Sequence, residues 1–215
     1  RIHAVIRGMG SSSDGAGQAI YSPSVEGRAR AFRMALERAE VTSHDVQFIE
    51  AHATSTVVGD ANEYDAIAAA YAAGRKADNP LYLGSVKYQI GHLKAAAGVA
   101  GLIKTIKAME NGIIPHMPLF EKLTPNVKNP VDAFVVPTEP VKWEPNGTGK
   151  KIAAVTSSGF GGCNYHAIIE QGDKYVPVNK RKKIDRNIAI VGVTCRMAGA
   201  DDVDTFWDNV VNGRN

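Results

Sequence analysis

Apolar and polar positions change period several times along this chain, and each change marks an element. Residues 1–8 alternate apolar and basic side chains and predict a strand, which gives way to a polar Gly-Ser-Ser-Ser-Asp-Gly loop at 10–15. Ser24 stands before a helical period at 28–36, where its hydroxyl can cap the first turn. The apolar run 46–49, introduced by Asp45, predicts a buried strand, and the alanine-rich stretch 60–73, opened by Asp60, predicts a helix. The plan then repeats, with a strand at 81–86 and a long helix at 92–110 closed by Asn111-Gly112. Residues 113–149, rich in proline and asparagine, are expected to wrap the surface, with short strands at 134–136 and near Val141. Two final strands, 151–157 and 165–170, flank a turn of small residues and end the domain like a hairpin. Strand and helix in succession predict an α/β domain with parallel pairing.

Composition narrows the class without choosing a chemistry. The chain has 215 residues and a net charge of +3, so a soluble globular protein of one or two domains is expected. No run approaches the ~20 apolar residues that span a bilayer, and no basic-then-apolar leader opens the chain, which points away from membranes and towards the cytoplasm. Cys163 and Cys195 lie in separate segments without metal-ligand spacing, so reduced thiols are expected and no metal site. The basic run 180–183 lacks interleaved aromatics and reads as a solvated tether rather than a nucleic-acid contact.

The chemistry concentrates at two strand-to-helix junctions. Ala-His-Ala-Thr-Ser-Thr at 51–56 places His52 just after one strand, and Lys-Tyr-Gln-Ile-Gly-His at 87–92 places Lys87 and His92 just after the next. Open α/β sheets put ligand groups at the carboxyl ends of their strands, so the three residues read as one site. Each has a blander reading when taken alone: a satisfied histidine, a surface lysine, and for Asp60 a helix N-cap.

Together with Gly-Phe-Gly-Gly-Cys-Asn-Tyr-His at 159–166, these segments resemble the C-terminal half of a β-ketoacyl synthase, the decarboxylating condensing enzyme of polyketide and fatty-acid synthases. The resemblance covers about the first 170 residues. It implies a thiolase-like layered α/β fold, C-terminal half only, and decarboxylative Claisen condensation of an acyl thioester with malonyl-acyl carrier protein. His52 and His92 would stabilise the enolate oxygen, and Lys87 would set the site's electrostatics through a carboxylate, for which Glu63 is the match and Asp60 its neighbour. Thr54 and Thr56 would hydrogen-bond the phosphopantetheine arm, and Phe160 would gate the nucleophile; their plainer readings are turn chemistry and a core aromatic. The family's nucleophilic cysteine belongs to the N-terminal half, so it is expected from outside this chain. No cofactor would bind directly, since substrates ride on the phosphopantetheine of acyl carrier protein. The implied partners are that carrier protein, the N-terminal half and a second copy in a homodimer. Ala53 stands where the family more often has glycine, and Cys163 where threonine is common.

Three segments follow: a half-domain at 1–171, a basic linker at 172–186, and at 187–215 the opening strand and helix of a second ketosynthase-like domain. That order is similar to the tandem ketosynthase and chain-length-factor layout of polyunsaturated fatty-acid synthases, although Cys-Arg-Met-Ala-Gly at 195–199 looks more like an ordinary modular ketosynthase opening. Two alternatives remain open, a non-catalytic ketosynthase-like or chain-length-factor partner with a structural role, and a non-decarboxylating thiolase, which the histidine and lysine motifs match less well.

Overall fold

A computed structural model describes residues 2–15, 22–159, 161–172 and 199–212. The chain divides into two compact units, Arg1–Val176 and Pro177–Asn215.

In the first unit, strands and helices alternate as their patterns predict. In order come β1 (Ala4–Ser13), α1 (Val25–Ala39), β2 (Phe48–Glu50), α2 (Val57–Tyr71), β3 (Leu81–Gly84), the short α3 (Lys87–Ile90) and α4 (Ala97–Asn111). The two-residue strands β4 (Ile113–Ile114), β5 (Phe134–Val135) and β6 (Val141–Lys142) follow, then β7 (Ile152–Gly159) and β8 (Cys163–Gln171). Among the described residues, six strands form one sheet in the order β1-β8-β7-β2-β3-β5. Its β7-β2-β3-β5 side is parallel, while β8 runs antiparallel to both β7 and β1. Strands β4 and β6 pair separately.

Period-two alternation sorts the core into two layers. Ile49, Leu81, Leu83, Ile152, Ala154 and Ile168 face α1 and α2, where Phe32, Leu36, Ile67 and Tyr71 meet them. Phe48, Ala153, Val155 and Ile169 face the other way, against Ala108 and Met109 of α4 and Trp143. Helices therefore cover both faces of the parallel part, and the carboxyl ends of β2 and β3 are left to carry the site.

Ser24 caps α1 by accepting from the Gly27 amide at 3.1 Å, and Gly112 closes α4 with a left-handed φ of 67°, both as expected. Other boundaries differ. Residues 10–13 are strand rather than loop, because Gly10 lets β1 lie against the Ala31 carbonyl of α1 while the serines pair with β8. Helix α2 starts at Val57 with Thr56 as N-cap, so Asp60 is not the cap. Strand β3 stops at Gly84, and the helix expected at 92–110 is interrupted: Gly91 at φ 72° ends α3, Lys94 at φ 55° opens a 3₁₀ turn at Lys94–Ala96, and α4 begins only at Ala97.

One glycine inside α4 has a packing cause. A Cβ at Gly101 would stand 2.8 Å from Cγ of Glu50, which is buried and held at both oxygens. Gly101→Ala improves helix propensity by about 1 kcal/mol, yet the clash costs about 1–3 kcal/mol. We therefore expect the thermal midpoint to fall by about 2–4 °C in a melting experiment, where an exposed helical glycine would give a rise.

In the second unit, α5 (Val203–Val211) starts with Asp202 accepting from the Thr205 amide at 2.7 Å. The strand expected near 188–192 and nearly all of the basic linker lie outside the described residues.

Candidate active site

Strand β2 ends in Glu50 and delivers Ala51 and His52 into a tight turn. Ala53 and Ser55 both have positive φ, 27° and 62°, so a non-glycine chain bends through left-handed backbone here. Glu63 of α2 holds that bend: its two carboxylate oxygens accept the amides of His52 at 2.7 Å and Ala53 at 2.8 Å. Glu63 thus caps the backbone of the His52 turn, a contact additional to the electrostatic role towards Lys87 expected of it. Glu63 also acts on Lys87 through space, as the strongest of the charges that favour its ammonium form.

Strand β3 delivers Lys87 and, after Gly91, His92. The His52 and His92 rings lie 5.5 Å apart, centroid to centroid, and nearly perpendicular at 88°. The Lys94 amide donates to His92 Nδ1 at 3.0 Å. Nδ1 is therefore the acceptor nitrogen, and the neutral ring carries its proton on Nε2. His52 Nδ1 has no hydrogen-bond partner among the described residues.

Both imidazoles are kept neutral. Burial, followed by the charges of Lys87, Arg28 and His92, lowers His52 to about 4. His92 is lowered too, by burial and by Lys87 and Lys94. Burial also lowers Lys87, against the pull of Glu63, Glu50 and Asp60. Asp60 is pushed up by burial and by Glu63, while the backbone of Ser55 and Thr54 favours its charged form. The Thr54 and Thr56 hydroxyls stand 3.3 Å apart on the same turn. Phe160 lies outside the described residues.

Reading the sequence missed two groups. Arg28 of α1, buried, donates to the Gly59 carbonyl at 3.0 Å and adds positive charge behind His52. Glu50, 1% exposed, sits beneath the Lys87 turn. The alternation that turns Phe48 towards α4 turns Glu50 there as well, and a carboxylate on a buried face requires a partner; that signal was available. Cys163 is exposed. His166 is structural: it is fully buried between the Tyr71 hydroxyl at 2.7 Å and Thr156 Oγ1 at 2.9 Å.

A cleft of about 530 Å³ opens on the other side of the His52 turn, lined by Ala53, Ser55, Thr56, Asp60, Glu63 and Tyr88 beneath residues 117–124. Neither histidine ring borders it.

Residues 3–121 match the beta-ketoacyl synthase C-terminal domain, more than half of the chain. The chain belongs to the beta-ketoacyl synthase family. Residues 185–215 match the beta-ketoacyl synthase N-terminal domain. A highly reducing polyketide synthase of Aspergillus calidoustus is 44% identical over 176 residues, 81% of this chain and 7% of that protein. A phenolphthiocerol/phthiocerol polyketide synthase polypeptide of Mycobacterium tuberculosis is 40% identical over 172 residues, 80% of this chain and 9% of that protein. The chain thus spans less than a tenth of these two relatives. Among solved structures, an oxazolomycin ketosynthase domain of Streptomyces albus JA3453 superposes with a TM-score of 0.75 at 28% identity, covering 84% of this chain and 32% of that one. The module 6 ketosynthase of the Bacillus subtilis bacillaene synthase gives 0.74 at 28% identity, with 81% and 32% covered. The thiolase-like layered fold expected from the motifs is the fold of these ketosynthase neighbours. Among the described residues, no helix is long and apolar enough to cross a membrane.

Proposed function

We propose that this chain supplies the C-terminal half of a β-ketoacyl synthase in a cytoplasmic synthase, catalysing decarboxylative Claisen condensation with malonyl carried by acyl carrier protein. The observation that carries the proposal is the perpendicular His52/His92 pair at the ends of β2 and β3, with Nε2–H of His92 left free to donate by the Lys94 contact.

In this reading a cysteine of the N-terminal half holds the acyl group as a thioester. The bond between the malonyl methylene and its carboxylate breaks, carbon dioxide leaves, and the bonding pair passes into an enolate whose oxygen carries the charge. Two neutral imidazole N–H groups stabilise that oxygen, where charge exists only as the reaction proceeds. The enolate carbon then attacks the acyl carbonyl, and the cysteine departs as thiolate. Lys87 supplies positive potential, Glu63 fixes the His52 turn, and Asp60 braces the loop before α2. Thr54 and Thr56 bind the amides of the phosphopantetheine arm, and Phe160 gates the cysteine. The complete domain pairs as a homodimer, and no cofactor is bound by this chain itself.

The test is His52→Ala in the complete enzyme. Malonyl decarboxylation and condensation are expected to fall by at least about 10²-fold, the effect of losing one oxyanion donor. Cysteine acylation, followed by intact mass, is expected to persist. Loss of acylation with decarboxylation retained would overturn the role given to His52.

A further inference from the structure

Glu50 is the last residue of β2 and shares the α4-facing side with Phe48. Its Oε2 accepts from Lys104 Nζ of α4 at 2.7 Å, and its Oε1 accepts from the Val86 amide, one residue before Lys87. The Lys104 ammonium also stands 5.4 Å from the centroid of the Phe48 ring. Two glycines make room for this arrangement. A Cβ at Gly101 would stand 2.8 Å from Glu50 Cγ, and one at Gly84 would stand 3.1 Å from the Phe48 ring and 3.4 Å from Lys104 Nζ.

A buried ion pair is weak evidence for stability, because desolvation offsets most of the attraction. Its placement gives it another use. The carboxylate ties the backbone where β3 turns into α3, and its charge acts on Lys87 as well as on Lys104. The charged groups facing Lys87 are Asp60 and Glu63 from α2, Glu50 and His52 from the end of β2, Lys104 from α4, and His92 from its own turn.

We infer that Glu50 and Lys104 form a positioning pair that sets the placement and the charge of Lys87. The inference rests on the condensing-enzyme reading, and its sign is specific: Glu50 holds the Lys87 proton on, and Lys104 tempers Glu50.

The experiment follows malonyl decarboxylation against pH in the complete enzyme for E50Q, K104M and K104R. Glutamine keeps an oxygen for the Val86 amide and removes only the charge. The alkaline limb, where Lys87 loses its proton, is expected to move down by roughly half a pH unit or more in E50Q and up in K104M. K104R should keep the wild-type profile, and all three should acylate the cysteine. A structural role alone would lower the melting temperature and leave the limbs in place, so unchanged limbs, or limbs that move the same way, would overturn the inference. If K104M does not fold, E50Q must still shift and K104R must not; any other result overturns it. Wild-type enzyme without decarboxylation would overturn the condensing reading and this inference with it.

Discussion

Removing the His92 ring is expected to slow malonyl decarboxylation by about 10²–10³-fold, and removing His52 as well should cost little more. The reason lies in how the two rings are supplied. They come from successive strands, meet at 5.5 Å, and are both held neutral, so each presents an N–H without adding a second positive charge beside Lys87. Two donors serving one oxygen act as a unit, and units lose most of their effect with the first member removed. Release of carbon dioxide from labelled malonyl-acyl carrier protein measures this in H92A and in H52A/H92A. Decarboxylation in H92A at the wild-type rate would remove His92 from the site. A double variant slower than the single by another 10²-fold or more would show the rings acting separately.

Why His92 is ready for this role depends on a break in the chain that helical periodicity conceals. Residues 92–110 read as one helix because leucine, alanine and isoleucine recur at helical spacing. Gly91 and Lys94 nevertheless take positive φ, and the backbone they form turns the Lys94 amide back onto the His92 ring. A lysine in left-handed backbone has no sequence signature, so the tautomer of His92 was illegible. The placement of His52, Lys87 and His92 at strand ends was legible, because apolar runs followed by alanine-rich stretches place them there. Only one of the two roles of Glu63 was legible, since charge complementarity to Lys87 is visible along the chain and capping of two amides is not. Glu50 lay between these cases. Its position opposite Gly101 could have been suspected from a glycine inside a good helix, but the contact joins residues far apart in sequence and needs the fold to be seen. The Tyr71–His166–Thr156 network is of the same kind, joining α2, β8 and β7.

That network sets the second large effect, which is on stability. His166 is fully buried, and burial lowers it from 6.5 to about 3. An imidazole lowered in the folded state binds its proton more tightly when unfolded, so acid favours unfolding over the window from 6.5 down to about 3. Between about pH 7 and about pH 4 this one group is expected to remove about 3 kcal/mol, a large share of a typical domain's stability. His52 works in the same direction with a smaller effect, because it is partly exposed. Glu50 works in the opposite one: burial raises its carboxyl, so the folded state takes up that proton more readily and acid favours folding through it. Comparing wild type with His166→Gln cancels the contributions of His52 and Glu50. Glutamine can still bond Tyr71 and Thr156 but does not titrate, so the variant should be less stable at neutral pH by about 1–3 kcal/mol. Its stability should also fall less steeply with acid, by about 1.4 kcal/mol per pH unit across the middle of the window. Urea unfolding at a series of pH values reads both quantities, and a slope equal to wild type would mean that the buried ring is not what acid attacks.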